Sequence, residues 1–247
     1  MKALLHAIAF LTRIPVPLRS HEQRDWERSP RYYPLVGLLI GLLLAAVGAL
    51  AGRLFGEPLS TAVTVAFWVY VTGALHLDGW MDLADGLGSH RSRERMLDIM
   101  KDSRVGAMGV TAAIVLLALK LSAVFELQSA DRWDALVLAP LVGRLAMIGA
   151  IARYPYISSQ GLGSGLRSGL SGGVLLLNCA LAVACSVVLG GAWAALALVL
   201  APCAAAWLFA RHIVKKLGGF TGDGYGALTE WTEMAVLLGG AALITLA

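Results

Sequence analysis

Seven stretches of mostly apolar residues follow one another with only short connections between them: roughly Leu35–Gly52, Leu59–Leu75, Val105–Phe125, Ala135–Ala152, Gly173–Gly190, Ala192–Ala210 and Ala227–Ala247. A helix of about 20 apolar residues spans a bilayer core about 30 Å thick. Composition agrees, with 58% hydrophobic and 15% charged residues and a mean hydropathy of +0.73. A soluble domain carries about 45–50% apolar and about 25% charged residues. The expected fold is therefore all-α, a single polytopic helical membrane bundle over residues 1–247 with about seven transmembrane helices. Residues 1–34 form a cytoplasmic or interfacial N-terminal segment. Its start, "MKALLHAIAFLTRIPVP", is interrupted by Arg13 and lacks a cleavage site, so it reads as an interfacial helix stopped by Pro15 and Pro17. Cys179, Cys185 and Cys203 lie within spans without metal-type spacing and read as packing residues.

Lysine and arginine positions orient the bundle. Lys2, Arg13, Arg19, Arg24, Arg28 and Arg31 precede the first span; Arg91, Arg93, Arg95, Lys101 and Arg104 follow the second. Arg153 and Arg167 flank the fourth–fifth connection, and Arg211, Lys215 and Lys216 lie between the sixth and seventh spans. The alternate connections hold only Arg53 and Arg132, so sixteen cations stand against two. The positive-inside rule puts the N-terminus in the cytoplasm and the C-terminus outside. The net charge of +4 mostly reflects this asymmetry and gives no evidence of nucleic-acid binding. Lys120 and Arg144 fall inside spans, where they are expected to snorkel or to pair with Glu126 or Asp134 near a helix end.

The same count places every polar, glycine-rich connection on the cytoplasmic side. The most acidic is "HLDGWMDLADG", His76–Gly86. Residues four and seven apart on a helix lie within about 40° of one another, so Asp78, Asp82 and Asp85 form one stripe about 10 Å long. Like charges this close repel. Oxygen-only ligands favour a hard cation such as Mg²⁺, which keeps waters and binds substrate phosphates as well. The alternative is a helix-capping cluster at the membrane edge. His76 is either a ligand or base, or an interfacial hydrogen-bonded histidine.

The next stretch, Ser89–Gly109, reads as a short charged helix in which Arg95/Asp98 and Asp98/Lys101 are ordinary surface neighbours. The functional alternative has Lys101 and Arg104 holding phosphate oxygens, with Asp102 adding to the metal site. Two glycine-rich loops, "SSQGLGSGLRSGLSGG" (Ser158–Gly173) and "GGFTGDGYGA" (Gly218–Ala227), have backbones able to approach a phosphate. Gly161, Gly163, Thr221, Gly222 and Asp223 are the candidates there. The assembled expectation is a Mg²⁺-dependent transferase acting on a phosphate-bearing substrate at the cytoplasmic face.

At this point the residues resemble a known family, the cobalamin synthases or adenosylcobinamide-GDP ribazoletransferases. "FLTRIPVP" (Phe10–Pro17) and "YPLVGLLIG" (Tyr33–Gly41) are similar to its N-terminal blocks. Gly73–Gly109 resembles its longest and most specific block, and "QGLG" (Gln160–Gly163) and "GGFTGDGYGA" complete the order. The resemblance implies an enzyme of the bacterial cytoplasmic (inner) membrane with its active site facing the cytoplasm. It would join adenosylcobinamide-GDP to α-ribazole or its 5′-phosphate, release GMP and require Mg²⁺. Asp78, Asp82 and Asp85 would bind metal, one of Asp82, Asp102 or Asp223 would accept the attacking hydroxyl's proton, and Lys101 and Arg104 would stabilise the diphosphate. The Arg153–Gly173 loop would shape corrinoid or base specificity. Partners are thus the two substrates and the lipid bilayer, with room for a homo-oligomer.

Three rivals fit less well. A CDP-alcohol phosphotransferase needs an Ala-Arg pair that "DGWMDL" and "DGLGSHR" lack. A cation-coupled transporter would place acids at mid-span and show an inverted repeat. A prenyl-type transferase would have a tighter aspartate-rich motif.

Overall fold

The apolar stretches fold into helices, and the connections between them bend rather than unravel. The computed structural model describes residues 2–17, 22–158, 161 and 163–246; Arg19, Ser159, Gln160, Leu162 and Ala247 of the sequence reading lie outside the described residues. Helices run in the order α1 (Lys2–Leu11), α2 (Gln23–Glu27), α3 (Tyr33–Leu54), α4 (Glu57–Thr72), α5 (Leu75–Gly88), α6 (Arg93–Met100), α7 (Ala107–Ser129), α8 (Trp133–Arg153), α9 (Gly172–Ala195), α10 (Ala201–Leu217) and α11 (Gly222–Leu246). No strand occurs among the described residues; the nearest to one is a single bridge between Tyr156 and Phe220.

Helix α8 is the buried axis, with Leu136, Leu138, Leu141, Val142 and Ile148 almost fully shielded. Helix α3 reaches it through Gly37 and Gly41. A Cβ at either would fall 2.3 Å or less from a backbone oxygen of α8, Pro140 O and Val137 O respectively. Small residues four apart let two backbones touch where lipid supplies no hydrophobic driving force. Helix α9 is the opposite case: Leu176, Leu177 and Val188 are 70% or more exposed, an apolar surface suited to lipid.

The second apolar stretch differs from expectation. Helix α4 stops at Thr72, and the chain turns by 87° into α5. Gly73 and Ala74 both take left-handed backbone angles, φ 65° and 58°, a cost of about 1–2 kcal/mol for a residue with a Cβ. The Pro-rich N-terminal segment buttresses this break: Arg13 N–H donates to Val71 O at 2.7 Å, and its guanidinium lies 5.9 Å from the Tyr70 ring centre. Helix α5 then runs antiparallel to the start of α7, since Asp85 meets Gly106 and Gly109 while Trp80 Nε1 donates to Ala112 O at 3.0 Å.

Five helical stretches are long and apolar enough to cross a membrane, six if α4 and α5 count as one broken span. One of the five, Gly172–Leu217, has 46 residues, about 69 Å if straight and twice what a bilayer core requires. It is not straight. Gly191, at φ 79° and ψ −177°, interrupts it. Leu175 and Cys179 before the break share a groove with Cys203, Ala206 and Ala210 after it; on an unbroken helix Cys179 and Cys203 would stand about 36 Å apart. Five or six such stretches stand against the expected seven, which counts these two limbs separately. Helix α11 begins at Gly222, five residues before the apolar run, so Asp223 sits in its first turn.

Candidate active site

Two connections far apart in sequence are stitched together to make the site. Ile157 N–H donates to Phe220 O at 2.9 Å and Phe220 N–H donates to Pro155 O at 2.9 Å. The chain leaving α8 is thereby fixed against the chain entering α11. Aromatic rings lock the junction: Phe220 stacks on Tyr154 at 5.6 Å and on Tyr225 at 4.9 Å, and Tyr225 stacks on Tyr156 at 6.1 Å. Both glycine-rich loops therefore reach one place.

That place is a cavity of about 300 Å³ between α5, α6, α8 and the start of α11. Its polar wall carries His76, Asp78, Lys101, Thr221, Gly222 and Asp223; its apolar wall carries Phe10, Tyr33, Leu97, Met100, Met147 and Ile151. Gly161 and Gly163 form part of the rim. Thr221 caps α11, its Oγ1 accepting from Gly224 N–H at 3.1 Å, so the first turn of α11 opens at the cavity.

The aspartates come close because two helices cross in near contact. A Cβ at Gly79 would sit 2.7 Å from Asp223 O, so α5 and α11 pack backbone to backbone there. Asp82 consequently feels the charges of Asp78, Asp85 and, from α11, Asp223. None of these four acids has a lysine or arginine within ion-pair distance among the described residues. Such a donor set, hard oxygens with unrelieved repulsion, suits a hard cation. Among the described residues, however, no group of three or more His, Cys, Asp or Glu is placed to enclose a metal by itself. That pattern fits Mg²⁺ held through one or two carboxylates together with water and a substrate phosphate, and Asp78, Asp82 and Asp223 are the residues that could hold it.

Three expected site residues have partners of their own. Asp85 accepts from Gly106 N–H and Gly109 N–H, each at 2.8 Å, one on each oxygen. It caps α7 from the neighbouring helix, as the capping alternative foresaw. Asp102 and Arg104 engage each other through a two-pronged pair, Nε–Oδ1 3.0 Å and Nη2–Oδ2 2.6 Å, and neither lines the cavity. Arg104's hydrogen bonds hold the Asp102 carboxyl down at about 2, which makes it a poor proton acceptor near neutral pH. Lys101, by contrast, is left open: Arg95 pairs with Asp98 at 3.9 Å and Lys101 does not. Of the two surface neighbours expected along this segment, only the first forms.

The model of the cobalamin-5-phosphate synthase family matches residues 3–241. The chain belongs to that family. Among curated relatives, the adenosylcobinamide-GDP ribazoletransferase of Brevibacillus brevis is 48% identical over 239 residues, covering 96% of this chain and 97% of the relative. Those of Desulforamulus reducens (42% over 238 residues, 94% and 95% covered) and Pseudomonas putida GB-1 (44% over 245 residues, 97% and 98% covered) carry the same name. No solved structure matches.

Within this member of the cobalamin-5-phosphate synthase family, sequence reasoning missed a second polar cluster just behind the cavity. Lys120 does not pair with Glu126, nor Arg144 with Asp134. Lys120 Nζ lies 2.5 Å from Glu230 and 2.6 Å from Glu233 and sits 4.3 Å from the Trp68 ring centre. Arg144 bonds Glu233, and its Nη2 lies 3.2 Å from His76 Nδ1. Because a guanidinium only donates, His76 Nδ1 is the acceptor and its proton sits on Nε2. Asp134 is taken by Arg132 at 2.8 Å. A signal was available: two cations and two anions inside apolar runs must neutralise one another. Tyr156 and Tyr225 carried no such signal.

Proposed function

We propose that this protein joins adenosylcobinamide-GDP to α-ribazole or its 5′-phosphate, releasing GMP, at the cytoplasmic side of the bacterial inner membrane. The family supports the reaction class, and the observation that carries the site is a cavity lined by Asp78, Asp223, Lys101 and the open first turn of α11, with Asp82 near enough to feel the charges of both aspartates. A ribose hydroxyl oxygen of α-ribazole attacks the phosphorus nearer the cobinamide. The bond from that phosphorus to the GMP oxygen breaks, and GMP leaves with the bond's electrons. The hydroxyl proton passes to a carboxylate. Asp82 and Asp223 are the candidates for that acceptor, because Asp102 is held by Arg104. Asp78, Asp82 and Asp223 would hold Mg²⁺, which would supply positive charge to the diphosphate. Lys101 supplies a point charge to the same oxygens, and the α11 N–H groups add donors. The apolar wall from Phe10 to Ile151 receives an aromatic base, while the cavity size leaves the corrinoid ring outside.

Orientation is part of the proposal. The excess of lysine and arginine at the end of the bundle that carries the cavity supports a cytoplasmic site. The test is GMP release by purified protein in detergent with adenosylcobinamide-GDP, α-ribazole and Mg²⁺. GMP appearing only when all three are present is expected; folded protein that releases none with any acceptor contradicts the proposal.

A further inference from the structure

A second cavity, separate from the one just described, opens on the lipid-facing side between α8, the α9–α10 hairpin and α11. It measures about 320 Å³. Its walls are apolar, with Leu145, Leu175, Cys203, Ala206 and Leu228 among them. One reason it exists is Gly149, which lines it and whose missing side chain leaves open space: a Cβ there meets nothing within 4 Å. From Leu145 to Arg153 the groove runs about 12 Å along α8.

Its chemistry is asymmetric. Arg153 lies at one end and rests 5.5 Å from the Tyr154 ring centre; Arg211, next to the lining residue Ala210, rests 4.7 Å from the ring centre of Trp207, another lining residue. Neither guanidinium has a carboxylate partner among the described residues. Arg132, near the other end of α8, is by contrast neutralised by Asp134. An apolar slot with the Arg153 guanidinium in its lining and the Arg211 guanidinium on the ring of its lining residue Trp207 is complementary to an anionic amphiphile.

We infer that the groove is a binding site for one anionic phospholipid, with an acyl chain lying along α8 past Gly149 and the phosphate held between Arg153 and Arg211. The inference does not rest on the reaction proposed above, and its readout involves no turnover. Native mass spectrometry of the full chain, exchanged from detergent into mixtures of phosphatidylglycerol and phosphatidylcholine, reads it directly. One phosphatidylglycerol retained per chain, with at least a ten-fold preference over phosphatidylcholine, is expected. Gly149→Leu, which fills open space, should abolish retention, and Arg153→Gln combined with Arg211→Gln should remove the headgroup preference. Monodispersity on gel filtration checks that each variant is folded, and the single Arg153→Gln change serves if the double variant is not. Equal retention of the two lipids by the wild type, no retained lipid, or retention unaffected by both changes would overturn the inference. So would loss of the preference together with a shift from dimer to monomer, which would make the occupant a second copy of the chain.

Discussion

Two acidic clusters lie within a few helical turns of each other, and they are built on opposite terms. Behind the cavity, Glu230 and Glu233 are matched by Lys120 and Arg144, so the charges balance inside the bundle. At the cavity, Asp78 and Asp223, with Asp82 close by, feel one another's charge, and among the described residues no lysine or arginine lies within ion-pair distance of any of them. Burial of a charge is tolerated only when it is paired. The first cluster is complete and serves to hold α7, α8 and α11 together, with His76 of α5 attached through Arg144. The second has no ion-pair partner among the described residues, and a cation from outside the chain would relieve its repulsion. Compensation, more than acidity, separates a structural carboxylate from one kept for a ligand.

Substitution can break this contrast in either direction. The largest effect is expected at the cavity. Under the proposed function Asp82→Asn removes a metal-holding or proton-accepting carboxylate, and turnover should fall roughly 10²–10³-fold while thermal stability in detergent stays level or rises. A fall in stability would place Asp82 with the structural acids. Next comes Glu233→Gln, which strands Lys120 and Arg144 in an apolar interior. A loss of about 3–5 kcal/mol is expected for breaking a buried pair, read as reduced resistance to unfolding in detergent. A loss below about 1 kcal/mol would mean that water reaches the network.

Smaller still is Asp85→Asn. One of its two backbone hydrogen bonds to the start of α7 would lack an acceptor, costing about 1–3 kcal/mol. Activity should fall no further than folding does, which a turnover rate per folded molecule would show. Least of all, Asp102→Asn should lower neutral-pH stability only slightly, since the pair with Arg104 is solvent-exposed and screened. The sign can be checked by acid titration. Asp102 titrates at about 2 when folded, below its usual value near 3.9, so its contribution is present above about pH 4 and disappears as pH falls toward 2. A slight deficit of the variant at pH 7 that closes as pH falls through that acid window is the expected result.

Apolar run length made the helices legible, because a bilayer imposes it regardless of tertiary detail. The aspartate stripe was legible for a similar reason: helical spacing alone puts Asp78, Asp82 and Asp85 on one face. What each aspartate does was not. Asp85 caps a helix that starts twenty-one residues later, and only packing α5 against α7 reveals it. The bend at Gly73–Ala74 was equally hidden, since alanine favours helix and signals no left-handed turn. Lys120 and Arg144 announced themselves as buried charges, yet their partners on α11 lie eighty-nine or more residues away. Glu126 and Asp134 were nearer in sequence and wrong in space.

The account stands most directly on whether the aspartates at the cavity await a cation. Melting temperature measured against Mg²⁺ concentration, for wild type and Asp82→Asn, decides it. Wild-type protein should be stabilised progressively by Mg²⁺, whereas the variant should start level or higher without the ion and gain little from it. If both chains respond to Mg²⁺ alike, or neither responds even with a diphosphate substrate present, the uncompensated cluster is not a cation site and the central claim fails.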